Sequence, residues 1–158
     1  MKLKNETKNL IIAILIPVVG GFLISLITRG GVNNYTENLI KPPFAPPSIL
    51  FPIVWTILYI LMGYSSYLIY DSMSCHENTC LIIYALNLFI NFIWPIIFFN
   101  LEARLFAFLF IILLDIVVAF MIICFHGINK KAAYLNIPYF IWLIFATILN
   151  FSVYILNR

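Results

Sequence analysis

Four stretches of this chain carry no charged side chain: Asn9 to Thr28, Pro42 to Tyr70, Asn78 to Leu101 and Ala132 to Asn157. They are 20, 29, 24 and 26 residues long, and a helix of roughly 20 residues crosses the ~30 Å hydrocarbon core of a bilayer. A fifth stretch, Leu105 to Asn129, is broken only by Asp115, and one carboxylic acid is tolerated in a span when it faces protein. The chain is therefore expected to be an all-α membrane protein with five transmembrane helices, at about 9–28, 49–70, 80–100, 104–125 and 132–156. With 64% hydrophobic residues in 158 and a mean hydropathy of +1.06, it has more apolar surface than one soluble core of this size can hide. Runs such as IIYALNLFINFIWPIIFF are apolar on every side, which excludes the period of two that a membrane β-barrel needs.

The start, MKLKNETKNLIIAILIPVVGG, has the basic residues and apolar run of a signal peptide. Its run is too long and no small-x-small cleavage site follows, so it reads as a retained first span. A net charge of +3 spread along the chain forms no basic patch, and nucleic acid is not an expected partner. With five spans, Lys2, Lys4, Lys8, Lys130 and Lys131 share one side, and Arg29, Lys41, Arg104 and Arg158 the other. That bias leans toward a cytoplasmic N-terminus.

Three links, DSMSCHENT, NLEA and HGINKK, are short, which makes successive spans antiparallel neighbours in one bundle and one domain, residues 1–158. The first link, RGGVNNYTENLIKPPFAPP, is long, polar and then rigid. Prolines at 42, 43, 46 and 47 fix their own φ and hold the residues before them extended, so KPPFAPP cannot join the second helix. A semi-rigid lid is expected there, presenting Phe44 toward a pocket and keeping Lys41 at the water boundary, where it could pair with a ligand acid.

Polar and aromatic residues recur on single helical faces. Trp55, Tyr59 and Gly63 are spaced by four, a pattern open to lipid-facing packing or a pocket wall. Asn87, Asn91 and Trp94 fall at i, i+4 and i+7; two amides on one face need partners, either across helices or in the polar end of a ligand pocket. Pro138, Trp142, Ala146 and Asn150 repeat the spacing of four, with a small residue leaving room either for a flat ligand or for a packed helix. Asp115 has Arg104 on its own face, but roughly 16 Å away by helical rise, so its expected partner lies on another helix.

Cys75 and Cys80 bracket HENT, leaving open a loop disulfide or a site with His76 and Glu77, although structural zinc sites supply four ligands at tighter spacing. Cys124 reads as an ordinary span residue, and no metal or other cofactor is expected. Leu149, Tyr154 and Arg158 match the loose sterol pattern L/V-x(1-5)-Y-x(1-5)-K/R, which many spans satisfy by chance.

Together, YTENLIKPPFAPP, W-x3-Y-x2-MG-x3-Y from Trp55, N-x2-W-P-x2-FF from Asn91 and PY-x2-W-x2-FA-x3-N from Pro138 resemble the TspO/MBR family. These are the tryptophan-rich sensory proteins and the mitochondrial translocator protein (peripheral benzodiazepine receptor). The resemblance covers nearly the whole chain. It departs at Asn34, where members carry Trp, at Asn87, where they carry Gln, and at Phe44, often Trp. It implies a commonly dimeric five-helix bundle binding porphyrins, haem and synthetic isoquinoline or benzodiazepine ligands under the first loop; the abundance of Ile, Asn, Phe and Tyr points separately to a bacterial source and so a bacterial cell membrane. By matching position, Trp55, Tyr59, Asn91, Trp142 and Ala146 would line the pocket, with Asn87, Trp94 and Asn150 close by. A light-dependent porphyrin-degrading activity would rest on Trp55 and Trp142, and sterol transport is a further alternative. The sequence holds no nucleophile triad, metal cluster or nucleotide loop that would support ordinary hydrolytic or redox catalysis.

Overall fold

The computed structural model describes residues 2–158, with side chains from Asn5 onward. Five helices long and apolar enough to cross a membrane form one bundle, and the described residues contain no strand. The first span is α1 (Lys2–Asn38) and the second α2 (Leu50–Tyr70). The third is α3 (Glu77–Pro95), prolonged by a π-helical turn over Ile96–Asn100, and the fourth is α4 (Arg104–Ile128). A short α5 (Lys130–Leu135) and α6 (Ile137–Leu156) together make the fifth. Large apolar side chains remain exposed along the outer faces, among them Leu23, Ile57, Phe89, Phe120 and Ile148. These are the surfaces that lipid covers.

Each departure from helical regularity has a local cause. Pro95 has no N–H to give and its ring crowds the carbonyl one turn back. The helix widens just beyond it, with Leu101 N donating to Ile96 O at 3.0 Å, so the span continues without exposing backbone donors. Pro138 forces a similar adjustment where α5 meets α6. There Asn136 Nδ2 donates to Ser65 Oγ at 2.6 Å and to Ala132 O at 2.9 Å, and Ser65 Oγ also donates to Ala132 O at 2.8 Å. Asn136 and Ser65 are fully buried, so this network pins the broken fifth span to α2. Gly63 lets α1 and α2 touch: a Cβ there would stand 2.6 Å from the Ala13 carbonyl oxygen, a distance no larger residue could accept.

Two expectations need correction. The segment read as a long first link is helical as far as Asn38, so the connection is Leu39 to Ile49. The helix persists past its two glycines because it packs on the end of the third span: Asn100 Nδ2 donates to Ile27 O at 3.1 Å, Asn34 Nδ2 to Glu102 Oε1 at 2.7 Å, and the Tyr35 ring lies 5.7 and 5.6 Å from those of Phe98 and Phe99. Tertiary contacts thus outweigh intrinsic helix propensity. The cysteine pairing also differs. Because α3 begins where its antiparallel neighbour α4 ends, Cys80 and Cys124 stand 5.6 Å apart at Cα and are joined by a disulfide, within the reach such a bond requires. Cys75 is exposed and free, so it neither bridges to Cys80 nor shares a metal with it.

Candidate functional site

The half of the bundle beneath the first connection is hollow. A cavity of about 670 Å³ lies between α1, α2, the third span and α6, within the range of 300–1,000 Å³ usual for small-molecule sites. Aromatic rings line much of it. Trp55 and Tyr59 come from adjacent turns of α2, with ring centroids 5.5 Å apart, and Trp55 also meets Tyr139 edge-on at 6.1 Å. Trp142 projects from α6 between Phe51 at 5.9 Å and Phe145 at 5.4 Å. Trp94 stacks on Phe98 at 5.3 Å, and its Nε1 donates to Ala107 O at 3.2 Å, which fixes it against α4. Opposite Tyr59, Gly21 of α1 leaves no room for a side chain.

The amides of the third span find partners across helices. Tyr59 Oη donates to Asn91 Oδ1 at 2.7 Å, Asn91 Nδ2 donates to Tyr139 Oη at 3.0 Å, and Tyr139 Oη donates to Asn87 Oδ1 at 2.8 Å. This chain ties α2, α3 and α6 together across the cavity floor. Asn91 lines the cavity as well as bonding across it, whereas Asn87 is fully buried below and does not reach the wall. Tyr139 anchors the network and was not singled out from sequence, although the PY pair before Trp142 marked its position. Higher on α6, Ala146 and Asn150 are both wall residues. Neither the Asn150 amide nor Trp142 Nε1 has a protein partner.

Of the expected ligand contacts, the cavity thus gathers Trp55, Tyr59, Asn91, Trp94, Trp142, Ala146 and Asn150. Phe44 and Lys41 are not among its walls. Phe44 is half exposed and meets Phe145 edge-on at 6.4 Å. Lys41 Nζ donates to Thr36 O at 2.8 Å and sits 5.7 Å above the Tyr35 ring. The connection is nevertheless held in place, because Asn157 accepts from Ile40 N at 2.9 Å and donates to Ile40 O at 2.8 Å. It contributes Ser48 to the cavity. No residue of the α1 wall, Thr28 among them, was singled out from sequence, and its upper part, including Arg29 and Thr36, was taken for a loop. Its polar residues at i, i+1 and i+8 were the available signal. Asp115 has its partner on another helix, Thr147 Oγ1 of α6 donating to its Oδ2 at 2.8 Å. Leu149 faces the cavity while Arg158 is exposed, so the sterol pattern does not form one outward face.

Comparison with known proteins bears on this geometry. The family model described as TspO/MBR family matches residues 13–156. This chain belongs to the TspO/MBR family. It is 35% identical over 149 residues to the tryptophan-rich protein TspO of Archaeoglobus fulgidus, covering 94% of this chain and 97% of the relative. Over 139 residues it is 34% identical to the TspO of Chlorobaculum tepidum, covering 87% and 88%. Similarity extends to the translocator protein of Bos taurus, 33% identical over 143 residues, 89% of this chain and 85% of that one. Family and fold together make this TspO/MBR member an integral membrane sensor or binding protein.

Proposed function

We propose that the protein binds a tetrapyrrole such as protoporphyrin IX or haem in this cavity, as a sensor or carrier, and accepts other flat hydrophobic molecules of drug size. The observation that carries this reading is a pair of indoles, Trp55 and Trp142, on the walls of one apolar cavity whose upper polar groups, Trp142 Nε1 and the Asn150 amide, have no protein partner. Buried polar groups are almost always paired, so these three atoms favour a ligand that pairs them. Aromatic walls suit a flat ring by offset or edge-on stacking. The translocator name of the bovine relative lends support to the carrier variant. We further infer a homodimer in a bacterial cell membrane, on the family resemblance and the prokaryotic relatives.

Titration of the purified protein with protoporphyrin IX should quench tryptophan fluorescence to saturation. Trp142→Ala and Trp55→Ala should each weaken the affinity about tenfold or more, the scale of a lost aromatic contact with its buried area. Equal affinity in wild type and both variants would remove the cavity from consideration as the site. Light scattering of the detergent-solubilised protein tests the dimer, which a monomeric mass would exclude.

A further inference from the structure

The polar groups on the cavity wall divide sharply into committed and free. The hydroxyls of Ser25, Thr28, Thr36 and Thr56 donate to carbonyls of their own helices, at 2.7 to 2.9 Å. The floor pair, Tyr59 and Asn91, is spent on the interhelical chain. What remains on the upper wall is the Trp142 and Asn150 edge and, on α1, Arg29 with Asn33 one turn beyond it. Arg29 is the single charged residue among those lining the cavity. Among the described residues the only ion pair is that of Arg104 with Glu102, at 3.2 Å, so no carboxylate neutralises Arg29. Its guanidinium has five donors in a planar fork and no acceptor of its own.

We propose that Arg29 anchors an acidic group of the ligand, so that the site selects flat apolar molecules carrying a carboxylate over neutral ones of the same shape. The inference rests on the tetrapyrrole reading above and specifies its chemistry. An uncompensated cation facing an apolar cavity favours an anionic occupant, and arginine matches a carboxylate with two parallel hydrogen bonds. Arg29 is exposed, so the acid sits at the wet end of the cavity and keeps part of its hydration. By helical rise Arg29 stands roughly 12 Å above Gly21, the position facing Tyr59. A ring lying against the floor aromatics can therefore extend a short acidic arm to it. Lys41, the cation expected from sequence to do this, is held outside by Thr36 O and the Tyr35 ring.

The test compares protoporphyrin IX with its dimethyl ester, which keeps the ring and removes both charges. Wild type is expected to bind the acid about tenfold or more tightly than the ester, the scale of a charge-assisted pair, and that preference should shrink as salt is raised. In Arg29→Gln the acid-to-ester ratio should fall toward one. Arg29→Lys, which keeps the charge without the fork, should retain a smaller preference, and Lys41→Ala should retain the full one. Wild type binding both forms equally, or Arg29→Gln keeping the full ratio, would overturn the role of Arg29 and leave tetrapyrrole binding standing. Binding of neither form would overturn both. If Arg29→Gln proves unstable, Arg29→Met carries the same test, and a full acid-to-ester ratio in it would equally defeat the proposal.

Discussion

The two ends of this bundle are built from the same helices and behave oppositely. Toward the α3 start, Met62, Ile69, Met121 and Phe125 are fully buried, the Cys80–Cys124 disulfide joins α3 to α4, and Ser65, Ala132 and Asn136 bond to one another. Beneath the first connection, the helices stand apart around about 670 Å³ of space. One end therefore holds the fold and the other is free to hold a ligand. Substitutions should separate in the same way, changing stability at the closed end and affinity at the open one.

The largest expected effect lies at the disulfide. It closes a loop with a sequence separation of 44, for which chain entropy gives about 4 kcal/mol. Cys80→Ala with Cys124→Ala, or reduction of the wild type, should lower the thermal midpoint in detergent while protoporphyrin affinity at low temperature stays within about twofold. Coupled loss of both would show that the closed end shapes the cavity. Next comes Asn136→Ala, which removes two buried hydrogen bonds at the α5–α6 break. A loss of about 2 kcal/mol is expected, again read as thermal stability without a matching loss of affinity. At the open end the loss falls on affinity instead. Ala146→Leu places three more carbons beside Trp142 and Asn150, and should weaken protoporphyrin binding about tenfold with little change in the melting temperature. A stability loss as large as that of Asn136→Ala would mean the space is tightly packed rather than open.

The same division explains what could be read from sequence. The five spans were legible because uncharged length is a local property that the bilayer tests directly. The stripes on α2, α3 and α6 were legible because helical period sets their faces. Which amide lines the cavity and which lies below it was not: Asn87 and Asn91 share a face, and only the Tyr139 hydroxyl between them places Asn87 beneath the floor. The α1 wall was hidden because glycines and amides such as those of RGGVNN favour a loop locally, and helix there depends on the end of the third span. Cys80 and Cys124 belong to separate spans, so their pairing required knowing which helix ends meet.

The smallest effect is the most discriminating. Asn150 is buried, yet neither its Oδ1 nor its Nδ2 has a partner, unlike Asn91, which bonds Tyr59 and Tyr139 at 2.7 and 3.0 Å. Removing an unpaired buried amide leaves no orphan behind, while removing Asn91 strands the Tyr59 hydroxyl and leaves Tyr139 only its bond to Asn87. Asn150→Ala should therefore leave thermal stability unchanged or slightly raised, and weaken protoporphyrin binding about fivefold, the worth of one net hydrogen bond. Asn91→Ala should lower the melting temperature whether or not ligand is present. If Asn150→Ala instead destabilises the protein as Asn91→Ala does, its amide braces the helices, and the open end is less free than its geometry indicates. If it changes neither stability nor affinity, the ligand's polar edge lies elsewhere on the wall, and Trp142 Nε1 and Arg29 must carry the recognition between them.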